Sequence, residues 1–315
     1  MKVIIVGLGI QGLKRKNILK KNEFVGSVDP YKIDANYRSI KEVSLDSYDT
    51  VFICTSENKK IEYIDFCLKN NKNFLVEKPF PILSLKKFNE LKLRINKSNK
   101  VCYVAYNHRF EPYIIKLRSF LKKKKIGKIY SCKLFYGNGT SKLIKNSTWR
   151  DKGGMGVIQD LFPHLMDICD YFFSLKKLKL KSLVNSKKLF ISNKFENISV
   201  DHAILNSKVN NIFFQLEASY CMWKNKFYCE IIGEKGSLHL NSLCKWGRTV
   251  FKYRKRVLPS GVPSEKVYFV NKKKDLTWKS EHVFFKNLIL KKKKNNLKRD
   301  LWINQNILKI KEIIK

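Results

Sequence analysis

No stretch of this chain reaches the roughly 18 uninterrupted apolar residues that a membrane-crossing helix requires, so a spanning protein is not expected. The opening segment, MKVIIVGLG, has too short an apolar run for a secretory signal and no cleavage site. It reads as a strand entering a turn, and a cytoplasmic protein is the expectation. The eight cysteines (Cys54, Cys67, Cys102, Cys132, Cys169, Cys221, Cys229 and Cys244) include no C-x-x-C pair and no cluster beside histidines at metal-ligand spacing. They read as reduced, buried small hydrophobes, and no metal site is expected. Internal repeats and low-complexity linkers are absent as well. Acidic residues are scarce, with 26 Asp and Glu against 65 Lys and Arg, for a formal net charge of +39. Such an excess suggests nucleic-acid or acidic-membrane binding. Here, however, the lysines are scattered through every element, the runs Lys122–Lys125, Lys272–Lys274 and Lys291–Lys294 suit solvated loops or helix ends, and no nucleic-acid motif accompanies them. The charge is read as a lysine-biased composition that still attracts anionic substrates.

What is present is a globular chain of 315 residues, 44% hydrophobic and 13% aromatic, long enough for two domains. Its first part alternates strand and helix signals. KVIIVG (2–7), FVGSVD (24–29), TVFICTS (50–56), NFLVEKP (73–79) and KVCYVAYN (100–107) are short, apolar and β-branched, as strands buried on both faces are. Helical patterns lie between them at 10–21, 59–70 and 84–96, and the alternation predicts a parallel sheet with right-handed crossovers. After a further helix, PYIIKLRSFLKKK, the pattern changes to long strand-like runs at 127–139, 203–220, 226–240 and 250–255 without crossover helices. These predict a mostly antiparallel sheet. A glycine-rich loop and helix at 153–174 and a helical tail at 280–315 complete the reading, with a domain boundary near residue 120.

Gly7-Leu8-Gly9-Ile10-Gln11-Gly12 fits G-x-G-x-x-G, directly after the first strand and opening the first helix. That context turns a weak pattern into a dinucleotide site. Gly7 permits the tight turn, Gly9 lets backbone approach a pyrophosphate, Gly12 allows close helix–strand packing, and the helix N-terminus supplies free N–H groups. Asp29 ends the second strand, 22 residues after Gly7, where a carboxylate accepts from ribose hydroxyls and repels a 2′-phosphate. NAD is therefore the expected cofactor, and the nearby Lys32 leaves NADP open. A turn role before Pro30 is the other reading of Asp29.

Glu77-Lys78-Pro79 ends the fourth strand, on the edge where open parallel sheets bind ligands. Lys78 there can polarise a substrate oxygen or share a proton, or it can be a surface ion pair. In Trp149–His164, Asp160 and His164 lie four apart, but Pro163 between them must kink or restart a helix. Histidine titrates near neutrality and a carboxylate can fix its tautomer, so the pair suits acid–base work. Asn107, Arg109, Trp149 and Arg150 are polar or aromatic groups suited to a polyhydroxylated ligand, the two arginines to a phosphate or carboxylate on it, or alternatively to holding the domains together.

In order, VGLGIQG, VFICTS, LVEKPF, YNHRFEP, IGKIYSCKLFYG, GGMGVIQDLFPHLMDICDYF and IIGEKGSLHL resemble the glucose–fructose oxidoreductase / inositol dehydrogenase / MocA family over nearly the whole chain. The resemblance implies an α/β fold: an N-terminal Rossmann domain (1–120) and a C-terminal α/β domain (121–315) with a mostly antiparallel open sheet that serves substrate binding and homo-oligomerisation. It implies hydride transfer between a nicotinamide cofactor and a secondary alcohol of a sugar, nucleotide sugar or cyclitol. By the same resemblance Lys78, Asp160 and His164 match the catalytic groups. Gly7, Gly9, Ile10, Gln11, Gly12, Asp29, Thr55, Glu77 and Lys78 fall to the cofactor. The chain departs from the family where a T-P-N…H stretch is usual and Thr55-Ser56-Glu57-Asn58-Lys59-Lys60 stands, and at Phe162, where glycine is common. A non-catalytic NAD-binding sensor or scaffold on the same fold is the competing class.

Overall fold

A computed structural model describes residues 1–146, 148–151, 154–174, 183–184, 189–270, 275–293 and 297–314, with the side chains of residues 148 and 149 outside the description. The chain divides into two compact units. One comprises Met1–Asn107 with Thr277–Asn304, the other His108–Leu276 with Gln305–Lys315.

In the first unit, strands β1 (Val3–Val6), β2 (Phe24–Val28), β3 (Thr50–Ile53), β4 (Asn73–Glu77) and β5 (Cys102–Ala105) form one sheet in the order β2-β1-β3-β4-β5, with every pairing parallel. Helices α1 (Ile10–Ile18), α2 (Glu57–Lys69) and α3 (Leu85–Lys97) are the crossovers. The strands are mostly apolar because both faces are covered, and Val3, Ile5, Phe52, Leu75 and Tyr103 share one core cluster. The order reverses between β1 and β3, which makes the carboxyl ends of these two strands the switch point where such sheets bind ligands.

The second unit opens with α4 (Pro112–Lys122) and β6 (Ile129–Gly137). The short helices α5 (Ser141–Ile144), α6 (Thr148–Asp151) and α7 (Val157–Asp160) lead to α8 (Phe162–Phe173). Strands β7 (Phe190–Asn193), β8 (His202–Val209), β9 (Ile212–Ser219), β10 (Lys226–Gly233), β11 (Gly236–Asn241), β12 (Thr249–Lys255) and β13 (Glu265–Val270) follow. They form an eight-stranded sheet, β13-β12-β11-β10-β6-β9-β8-β7, antiparallel except for β6 with β9. One face is buried, with Phe173 edge-on to Phe214 and Phe120 to Phe251. The other face carries the exposed Ile191, Phe213, Val267 and Phe269.

The long run at 203–220 is a hairpin rather than one strand. Asn210 and Asn211 both have positive φ (50° and 60°), the conformation of a two-residue type I′ turn that asparagine tolerates. The helical pattern at 153–174 restarts at Leu161, with Pro163 in the first turn of α8, where its missing N–H costs nothing.

The helical tail is α9 (Thr277–Leu290) and α10 (Lys298–Ile313). Unlike a single cut near residue 120, the division puts α9 in the first unit. The cause is packing: Phe285 has no exposure and its ring lies 5.9 Å from Phe52 and 6.0 Å from Tyr103. Asn107, the last residue before the chain leaves this unit, donates from Nδ2 to Oγ1 of Thr277, the first residue on its return, at 2.8 Å. Further on, Asn306 accepts at Oδ1 from Leu183 N and Val184 N in the second unit. No helix among the described residues is long and apolar enough to cross a membrane. Nor do the described residues gather three or more His, Cys, Asp or Glu that could hold a metal.

Candidate active site

The glycine loop between β1 and α1 meets three different demands. Gly7 has φ +89°, and a Cβ there would lie 2.8 Å from the Cys54 carbonyl carbon. A Cβ on Gly12 would lie 1.9 Å from Gly7 O, so helix and turn touch only through hydrogen. Gly9 is neither strained nor crowded: φ is −72°, and a Cβ there would meet nothing within 4 Å. Its bareness serves open space in front of the N-terminus of α1, where no side chain caps the first turn. Two buried side-chain oxygens nearby in the sequence pattern, Gln11 Oε1 and Thr55 Oγ1, have no hydrogen-bond partner among the described residues. A bare cradle at the switch point with unsatisfied polar atoms fits a dinucleotide.

Asp29 makes the turn expected before Pro30, and its carboxylate also reaches the glycine loop. Its Oδ1 accepts from Tyr31 N and Lys32 N, which is a turn, and its Oδ2 accepts from Leu8 N inside the glycine loop at 2.8 Å. Burial opposes the charge, but these backbone donors outweigh it and hold the carboxyl below its ordinary range. The carboxylate thus stands ionised against the loop.

At the end of β4, Glu77 turns its carboxylate inward. Arg15 on α1, with no exposure, donates from Nε to Glu77 Oε1 and from Nη2 to Glu281 Oε2 of α9, each at 2.6 Å. Burial opposes the guanidinium charge, but the two carboxylates outweigh it and hold the Arg15 pKa above its ordinary value, while burial pushes the Glu281 carboxyl up. Lys60 of α2, 2% exposed, donates from Nζ to Glu77 O and to Pro79 O, both at 2.6 Å. Lys78 lies between these two anchored residues and is half-buried.

In the second unit, α7 and the start of α8 present Asp160 and His164, 3% and 4% exposed. Asp160 Oδ2 accepts from Tyr220 Oη at 2.9 Å and lies 3.3 Å from Arg150 Nε. Burial, reinforced by Asp160, pushes the Tyr220 phenol up and so keeps it a donor. The His164 ring stacks on His108 at 4.0 Å, with Tyr136 5.8 Å away on the same side chain cluster. Lys245 Nζ lies 3.1 Å from His108 Nε2, and burial lowers its pKa. As an ammonium, Lys245 makes that ring nitrogen an acceptor and leaves the proton on Nδ1.

Asp160, His164 and Arg150 are therefore gathered within one unit. Asn107 spends its amide N–H on Thr277. Arg109 pairs with Asp167 through both Nε, at 3.0 Å, and Nη2. The Trp149 side chain lies outside the described residues. Sequence reasoning missed Lys60, Arg15, Glu281, Tyr220 and Lys245. Only Lys60 had a local signal: it shares the buried stripe of α2 with Ile64 and Cys67, a charged residue on an apolar face.

Comparison with known proteins adds two family matches. Residues 1–106 match the oxidoreductase family with an NAD-binding Rossmann fold, and residues 114–239 match the GFO/IDH/MocA C-terminal domain. A glucose-6-phosphate 3-dehydrogenase of Bacillus subtilis (strain 168) is 26% identical over 261 residues, covering 74% of this chain and 72% of that protein. Among solved structures, a putative NADPH-dependent oxidoreductase from Desulfitobacterium hafniense has a TM-score of 0.83 at 14% identity, covering 100% of this chain and 96% of the other. Levoglucosan dehydrogenase in complex with NADH and L-sorbose has a TM-score of 0.80 at 15% identity, covering 99% and 96%. A UDP-N-acetylglucosamine 3-dehydrogenase from Acidithiobacillus ferrooxidans has a TM-score of 0.75 at 15% identity, covering 98% and 95%.

Proposed function

The chain belongs to the GFO/IDH/MocA family of oxidoreductases, and from that membership we propose that it transfers a hydride between NAD and a secondary alcohol carbon of a sugar, nucleotide sugar or cyclitol. The observation that carries the cofactor half is the open space at Gly9, in front of an uncapped helix at the switch point of the sheet. The substrate half draws on three of the relatives, named as glucose-6-phosphate 3-dehydrogenase, levoglucosan dehydrogenase and UDP-N-acetylglucosamine 3-dehydrogenase.

NAD, when bound, supplies the hydride acceptor. His164 takes the hydroxyl proton as general base, and its stacking on His108 fixes the ring plane. Asp160, held by Tyr220 and Arg150, favours the imidazolium that forms. The Lys78 ammonium stabilises the developing alkoxide. Arg150, about a third exposed, is the group best suited to a phosphate or carboxylate on the sugar. The exposed face of the eight-stranded sheet serves a homo-oligomer interface. Work in the cytosol is supported by eight free cysteines, which suit a reducing compartment.

Lys78→Met and His164→Ala are each expected to lose about 10²–10⁴-fold in kcat. Thermal melting and NADH titration should stay at wild-type values. Both variants turning over the same sugar within a few-fold of wild type would overturn the assignment.

A further inference from the structure

Lys60 is a lysine where α2 needs a hydrocarbon. The helix turns Lys60, Ile64 and Cys67 toward the sheet, and Lys60 is as buried as its apolar neighbours. Burying an ammonium is costly, and the cost is visible. Burial brings its pKa down to about 8; Glu77 and Glu57 oppose that fall, and the Lys78 charge adds to it. Leucine or methionine would fill the stripe without this penalty. What only a donor achieves there is the pair of 2.6 Å bonds to Glu77 O and Pro79 O. These carbonyls belong to the residues immediately before and after Lys78. Glu77 is held a second time through its side chain by Arg15. Of the three residues in the turn, only Lys78 retains appreciable exposure.

We propose that Lys60 is a positioning residue: by gripping the carbonyls on both sides of Lys78, it fixes the direction in which the Lys78 side chain leaves the end of β4. The proposal rests on the reading that Lys78 acts on the substrate. A group that aligns a reacting side chain changes the rate of the chemical step and leaves cofactor affinity alone, since a displacement of about 1 Å costs on the order of 10²-fold.

The test compares Lys60→Met, Lys60→Arg, Lys78→Met and the Lys60→Met/Lys78→Met double variant, on a sugar that the wild type oxidises. Lys60→Met, which keeps the stem and removes the donors, is expected to lower kcat by about 10–100-fold. The Kd for NADH should stay within twofold. Lys60→Arg, which restores donors, should recover most of the loss, and the double variant should be no slower than Lys78→Met alone. If Lys60→Met fails to fold, Lys60→Gln keeps a polar group in the stripe but is too short to reach both carbonyls, and must show the same kcat-only loss. A Lys60 variant with wild-type kcat, or losses that multiply in the double variant, would overturn the proposal while leaving Lys78 in place. Unchanged turnover in Lys78→Met would instead remove the reading beneath it.

Discussion

Alanine at position 9 separates the folding role of the glycine loop from its binding role. The backbone at Gly9, with φ −72° and ψ −171°, is open to any L-residue, and the added methyl meets nothing within 4 Å. Reduced freedom of the unfolded chain favours the variant by about 0.4–1 kcal/mol. Alanine is a poorer N-cap than glycine by a similar margin, which offsets that gain. The melting temperature is therefore expected to move by no more than a few degrees. Binding is another matter. If a pyrophosphate lies against Gly9, the methyl occupies its place, and overpacking costs about 1–3 kcal/mol. At 1.4 kcal/mol per factor of ten, the NADH Kd rises by roughly five- to a hundredfold. Gly12→Ala is the control, because its methyl would lie 1.9 Å from Gly7 O and the fold itself must yield. Fluorescence titration of NADH, run beside thermal melting on both variants, reads the two effects separately. Wild-type NADH affinity in Gly9→Ala would refute the argument that this space is the cradle.

The wild type is expected to bind NADH more tightly than NADPH, because the Asp29 carboxylate stays ionised beside Leu8; Asp29→Ala should narrow the ratio of the two Kd values, and a wild-type preference for NADPH would sink the assignment. The chain should run as a homo-oligomer in light scattering at micromolar concentration, with charge introduced at Phe213 and Phe269 producing a smaller species. A wild-type monomer would remove the interface from the exposed sheet face.

The parallel sheet was legible because its strands are buried on both faces and read as unbroken apolar runs, such as Val3–Val6 and Thr50–Ile53. A kink or restart between Asp160 and His164 followed from Pro163, and the structure puts the break at Leu161. The edge strands of the eight-stranded sheet were not legible: β13, Glu-Lys-Val-Tyr-Phe-Val, has little burial to impose a pattern, and β7 is only four residues long. The hairpin at Asn210-Asn211 was hidden because two short strands of one composition adjoin without a glycine or proline between them. In the candidate site, motif residues declared themselves through local spacing. Arg15 and Glu281 did not, since their bond joins positions 266 apart and a helix surface shows no sign of its partner. Asn107 and Arg109 read as ligand-binding groups on composition; that Asn107 Nδ2 also donates to Thr277, and Arg109 Nε to Asp167, was not legible because those partners are remote in sequence.

The interleaving of the two units has a bearing on how the chain is made. A ribosome releases all five parallel strands by Ala105, yet Glu281, which balances the buried Arg15, and Phe285, which closes one side of the core, emerge only after a further stretch of some 170 residues. Until then the early sheet holds a guanidinium with one of its two carboxylates and an uncovered apolar flank, a species open to chaperone capture and to aggregation. The second unit waits as well, for Asn306 and the end of α10. Neither unit is a contiguous cassette that can be cut out and expressed. A fragment ending at residue 276, for all its intact nucleotide fingerprint, would lack the helix that its own first helix is charged to meet.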